Sequence, residues 1–200
     1  MRVAVSLALL LLAACDFAGQ GRSTPSTPSG TVLFVPLGEV PPDLLQDLVA
    51  YYKGKHGLVV GIAPAVAVEE GAVDRRLNQV VAEELVGLIE RDIPHQARAV
   101  NNVLIGITAY DMRIRAIPSW RFAFAYRQGR RAVVSMARMD PVNLGEAEDD
   151  ALLRTRLRKM VSKQIGLLYF GMRESSDRRS VLYSPILGVD DLDSIGEEFQ

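Results

Sequence analysis

Ala151 to Met172 reads ALLRTRLRKMVSKQIGLLYFGM, the longest helical pattern in the chain and the stretch around which the rest is arranged. Advancing 100° per residue from Leu153 puts Leu157, Met160, Val161 and Leu168 on one stripe, with Leu167 at its flank and Gln164 in its middle. Lys163 and Leu167, four apart, share the next flank, the spacing at which a helix can present two metal ligands. Here that pair is a cation and a hydrocarbon. The acidic residues Glu146, Glu148, Asp149 and Asp150 gather at the start, where they suit the positive end of the helix dipole. They read as a capping cluster rather than a metal site, because their spacing does not resemble a calcium loop. Gly171 closes the helix.

The segments upstream alternate. Thr31 to Leu37 (TVLFVPL) is a short β-rich run closed by Pro36 and Gly38, and Pro41-Pro42-Asp43 opens a helix to about Lys53. Leu58 to Val68 follows as a strand interrupted by Pro64. Val73 to Glu90, with apolar residues at 77, 80, 81, 85, 88 and 89, has the spacing of one amphipathic helix, ended by Pro94. Asn102 to Thr108 (NVLIGIT) is the continuous apolar run of a strand covered on both faces. The βαβαβ order predicts an α/β fold with a mixed, mostly parallel twisted sheet flanked by helices. Trp120 to Tyr126 (WRFAFAY) and Arg131 to Met136 (RAVVSM), around Gln128-Gly129-Arg130, predict an antiparallel hairpin with one strand at the sheet edge. Residues 173–187 read as a polar loop. Gly188 to Phe199 reads as a short terminal helix capped by Asp190 or Asp191.

Two hundred residues with 23 basic and 24 acidic side chains give no global field to gather nucleic acid. At the N-terminus, Met1-Arg2 precedes an apolar run, Val3 to Leu12, too short to span a bilayer. Leu12-Ala13-Ala14-Cys15 then resembles a bacterial lipobox. The resemblance implies a signal peptide over 1–14, cleavage before Cys15 and diacylation of its sulfur, so that palmitate or a similar chain anchors the protein to a bacterial membrane facing the periplasm or cell exterior. Cys15 is the only cysteine, so no disulfide within the chain is possible. Asp16 resembles an inner-membrane retention residue. Residues 15–30 read as the lipidated cysteine and a flexible Gly/Ser/Thr/Pro tether, and 31–200 as a single domain.

That domain resembles the archaemetzincin-type zinc metalloproteases, a metzincin-like family. The resemblance rests on the element order, on GITAYD (Gly106 to Asp111), on RFAFAYRQGRRAVVSMARMDP, on the long helix and on SVLYSPILGVDDLD. In that family the helix carries HExxHxxGxxH, and a later turn sets a methionine beneath the metal. On this chain the three histidine positions fall on Lys163, Leu167 and Arg173, and the glutamate on Gln164. The glycine falls on Phe170 or Gly171, and the turn methionine on Leu182. The motif is therefore degenerate.

Catalytic zinc needs three lone-pair ligands and a carboxylate that takes the proton of bound water. Lysine is a cation, leucine has no lone pair, and a glutamine amide is essentially non-basic. Only His56 and His95 exist, so a three-histidine site is excluded by counting, and the expectation is no metal, no cofactor and no catalytic residue. Ser162-Lys163 is no dyad, because adjacent helical residues point about 100° apart. Ser135 lacks a glycine elbow. Lys163 reads either as a solvated edge residue with its stem on apolar surface, or as an ammonium in the space of the absent zinc, paired with a cleft carboxylate or a bound chain terminus. By resemblance, Arg121, Phe122, Ala123, Phe124, Ala125 and Tyr126 form the candidate edge for docking a peptide or protein ligand. The expected function is binding by an inactive protease-like domain. The alternatives are a divergent metallopeptidase or other hydrolase with a non-standard site, and a structural envelope protein.

Overall fold

The computed structural model describes residues 30–199. Cys15, the lipobox-like tetrapeptide and nearly all of the tether lie outside them. Among the described residues no helix is long and apolar enough to cross a membrane.

Gly30, the first described residue, is lodged against the Asn101 carbonyl and the Tyr169 ring, so tightly that a Cβ there would lie 2.2 Å from Asn101 O. The chain then forms β1 (Val32–Leu37), α1 (Pro42–His56) and β2 (Val60–Ile62). Gly57, at φ 61°, ends α1 in the left-handed conformation. The expected strand beyond residue 62 is only an isolated bridge between Leu37 and Val66.

The predicted helix over 73–90 is replaced by three pieces: β3 (Val73–Asp74), β4 (Gln79–Val81) and α2 (Ala82–Asp92). Asn78 takes a positive φ of 52°, which a helix cannot hold, and Asp74 Oδ1 accepts the Arg76 and Leu77 amides to build the turn instead. The β-branched Val80 and Val81 then pair with β6 (Met112–Arg113) in a small three-stranded sheet ordered β3-β4-β6. Between them come α3 (Pro94–Arg98) and β5 (Val103–Thr108), whose six residues are all buried.

The main sheet is completed by β7 (Ala125–Gln128) and β8 (Arg131–Ser135) and runs β2-β1-β5-β8-β7. All neighbours are parallel except the β7/β8 hairpin, turned by Gly129 at φ 58°. It is thus a mostly parallel sheet with an antiparallel edge, as expected. The edge strand starts later than the aromatic alternation suggested. Arg121 to Ala123 lies outside the main sheet, with Ala123 N donating to Met112 O of the small sheet (2.7 Å), and Phe124 O accepts Ser135 N of β8 (2.9 Å) where the chain enters the edge strand.

One apolar cluster lies between the sheet, α1 and α4 (Asp150–Leu168); the other lies between the sheet, α2 and the small sheet. Gly106 makes the second possible, since a Cβ there would sit 2.6 Å from Leu37 Cδ1 and 3.0 Å from Ile89 Cδ1. Asp149 caps α4, accepting the Leu152 amide at 2.9 Å. Gly171, at φ 64°, lets Met172 N return to Gly166 O (2.9 Å) beyond its last turn. The expected stripe is only part of what α4 buries, for Arg156 and every residue from Lys159 to Gly166 are covered too, whereas Leu167 and Leu168 are half-buried. The terminal helix α5 (Val189–Ser194) is shorter than expected and has no side-chain cap; Asp191 Oδ2 instead accepts the Leu187 amide.

Candidate functional site

A cleft of about 520 Å³ opens between the edge strand and the C-terminal half of α4, a size usual for ligand pockets. Its outer wall is the segment from Trp120 to Phe124 leading into β7. That wall is fixed from behind, where the buried Gln79 amide donates to Arg121 O (2.8 Å) and to Asp111 Oδ2 (3.0 Å). Phe122 and Phe124 meet edge to face at 5.2 Å, with the Arg138 guanidinium 5.1 Å over the Phe122 ring. The opposite wall is the loop Ser184–Leu187, and Met160, Lys163 and Gln164 line the cleft from α4.

Lys163 is 6 % exposed, so it is not a solvated edge residue. Its Nζ donates to the Tyr183 carbonyl and stands 4.0 Å from Glu174 Oε1. Glu174 also accepts from Arg127 of β7 (3.3 Å) and is hydrogen-bonded by Ser184. Burial pushes the Lys163 ammonium below its ordinary pKa, opposed by Glu174 and helped by Arg127. Burial pushes Glu174 up, but Lys163, Ser184 and Arg127 outweigh it and hold its carboxyl below the usual value. The charges lining the inner cleft therefore answer one another.

Gln164 is 1 % exposed. Its Nε2 points at Met160 Sδ, 3.7 Å away, and its Oε1 is buried with no partner. A thioether accepts and cannot donate, which places the N–H of the amide on that side and leaves the oxygen orphaned. An acceptor so enclosed costs about 1–3 kcal/mol.

Of the motif-equivalent positions, only Lys163 and Gln164 reach the cleft. Leu167 is half-buried, Arg173 is exposed, and neither lines it. Leu182 is buried against α4 at Gly166, where a Cβ would lie 2.7 Å from Leu182 Cδ2. The zinc ion that the resemblance implies does not fit these residues, since Lys163, Leu167 and Arg173 offer no convergent lone pairs. Among the described residues no three His, Cys, Asp or Glu side chains cluster to hold a metal. His56 packs between Tyr52 and Phe199 on the far side of α4, and His95 is exposed on α3. Ser162 turns to Tyr52 (2.8 Å), away from Lys163, and Ser135 Oγ donates to Tyr110 O (2.6 Å) in a structural link.

The docking edge divides. Arg121 is exposed, Phe122 half-buried, and Ala123 and Phe124 buried, while Ala125 and Tyr126 begin the paired strand. Phe124 O accepts Ser135 N, and Tyr126 lies opposite Val133 in the register. Antiparallel alternation then turns the N–H and C=O of Ala125 and Arg127 outward. The sequence offered no signal for Glu174, Tyr183, Ile186 or Leu187, because their loop has no periodicity to read.

A twisted α/β sheet with one antiparallel edge strand beside a central helix, and a tight loop tucked beneath that helix, defines a zincin-like domain. No family model matches the chain. It is 28 % identical over 155 residues to the archaemetzincin of Haloquadratum walsbyi, covering 76 % of this chain and 85 % of that one. Its fold matches a zinc-dependent peptidase from Methanocorpusculum labreanum with a TM-score of 0.70 at 20 % identity, over 86 % of this chain and 96 % of the other. The archaemetzincin of Archaeoglobus fulgidus, solved with malonate, matches with a TM-score of 0.66 at 20 % identity, over 85 % and 95 %. The domain is archaemetzincin-like in sequence and in fold.

Proposed function

We propose that the chain is a bacterial lipoprotein whose archaemetzincin-like domain binds a peptide or protein segment along β7 without cutting it. The observation that carries this reading is the Lys163–Tyr183–Glu174 cluster with Gln164 beside it. It fills, with a cation and an amide, the place where hydrolysis would need a metal and a base, while the neighbouring strand keeps outward N–H and C=O groups. Lipidation at Cys15 would hold the domain at a membrane, and Asp16 favours the inner one.

A displayed random-peptide library should yield ligands for the native domain, and Ala125→Pro should abolish their capture. That change removes an outward N–H, not a ladder bond, so circular dichroism should stay native. Purified protein should carry no zinc and leave casein uncut when zinc is added. About one zinc per chain, or cleavage, would instead support the divergent peptidase. Cys15→Ser should eliminate labelling by an alkynyl palmitate analogue.

A further inference from the structure

The cleft also specifies what sort of side chain it would take. Its walls are apolar, with Phe122, Phe124, Ile114, Ile117 and Ile186 facing the space and the half-exposed Trp120 at its mouth. Around Lys163 the charges answer one another through Arg127 and Glu174, so a charged group reaching that end would have to break the set, while Arg121 is exposed on the outer wall. Among the described residues, the buried polar atom of the cleft lining with no partner is Gln164 Oε1. It lies just beneath the floor, and a turn of the flexible glutamine side chain brings it up to a guest. An acceptor calls for a donor.

Resting on the peptide-docking reading above, we propose that the cleft selects an aromatic side chain bearing a hydrogen-bond donor, tyrosine in the simplest case. The ring lies between the apolar walls and the phenolic O–H donates to Gln164 Oε1. Phenylalanine would fill the same walls and leave the oxygen orphaned, and a site built around an unpaired polar group discriminates against the guest that cannot pair it.

The test titrates the full-length protein in detergent with N-acetyl-tyrosinamide and N-acetyl-phenylalaninamide, followed by the NMR shifts of the glutamine side-chain amides and by calorimetry. The tyrosine probe should bind at least about fivefold tighter. Gln164→Met should bring it down to the phenylalanine value without weakening phenylalanine, and Gln164→Glu, which keeps an acceptor, should retain the preference. Equal affinity in the native protein, or a preference that survives Gln164→Met, overturns the inference. If Gln164→Met does not fold, the native comparison decides alone. Binding of neither probe also overturns it, while docking along β7 is judged separately by the Ala125→Pro capture assay.

Discussion

The two flanks of α4 treat their polar groups in opposite ways. Towards α1 the hydroxyl and guanidinium groups are answered, and the buried Nε2 without a partner there, that of His56, is enclosed by the Tyr52 and Phe199 rings. Tyr52, fully buried, shares a hydrogen bond with Ser162 and donates to Arg158 O, while Arg158 pairs with Asp47 and Arg154 with Asp43. Towards the cleft Lys163, Glu174 and Arg127 answer one another, but the buried Gln164 Oε1 has no partner. Buried polar groups are almost always paired. The orphan of His56 is closed in by rings, whereas that of Gln164 lies beside open space, and it is the second that marks the side left for something else.

The comparison can be broken in several ways. The largest effect should come from Tyr52→Ala, which empties a fully enclosed aromatic site and should cost about 3–5 kcal/mol in denaturant unfolding. More telling is a pair of subtler changes. Tyr52→Phe removes the partner of Ser162 Oγ and a second donor to the helical Arg158 O, and should cost about 1–2 kcal/mol, whereas Gln164→Met removes an orphan and should be neutral or stabilising by up to about 1 kcal/mol. Equal losses at both would erase the distinction between the flanks. The smallest effect is a pH slope at His56, behind the closed flank. Burial, then Lys55, hold its imidazole below its ordinary pKa against the pull of Glu198, and the Tyr52 and Phe199 rings pack on it. The unfolded chain thus takes up the proton first, and stability should fall as pH drops through about 6.5 and level off below the folded value. In His56→Phe that part of the slope should vanish in parallel melts.

Much of this was legible because burial imposes period. Val103 to Thr108 is covered on both faces and reads as a continuous apolar run, and the Gly129 hairpin is announced by its turn. Gln79 to Val81 reads as helix because a short strand leading directly into a helix continues its apolar spacing; the left-handed Asn78, just before the strand, is what breaks the helix there. Arg121 to Ala123 reads as strand from its alternation, yet Ala123 N bonds to the small sheet and pairing with the main sheet starts only at Phe124. At the site, the helix showed Lys163 and Gln164 as oddities on an apolar surface. Their partners Tyr183 and Glu174 come from an irregular loop, placed by long-range contacts that no local pattern encodes.

The seat of Gly30 has a consequence for reach. Tyr169 OH donates to Gly30 O, and Arg130 at the hairpin turn donates to Asn101 O, Asn102 O and Leu168 O. The root of the N-terminal segment, the end of α4 and the finish of β7 thus share one end of the molecule. Gly30 is fifteen Cα–Cα steps from Cys15, a reach of at most about 50 Å. With Cys15 in a bilayer, a guest strand on β7 would have one end near that root, so guests tethered to the same membrane would meet it at raised effective concentration. Lengthening residues 22–29 should weaken the capture of a tethered guest and leave a free one unchanged.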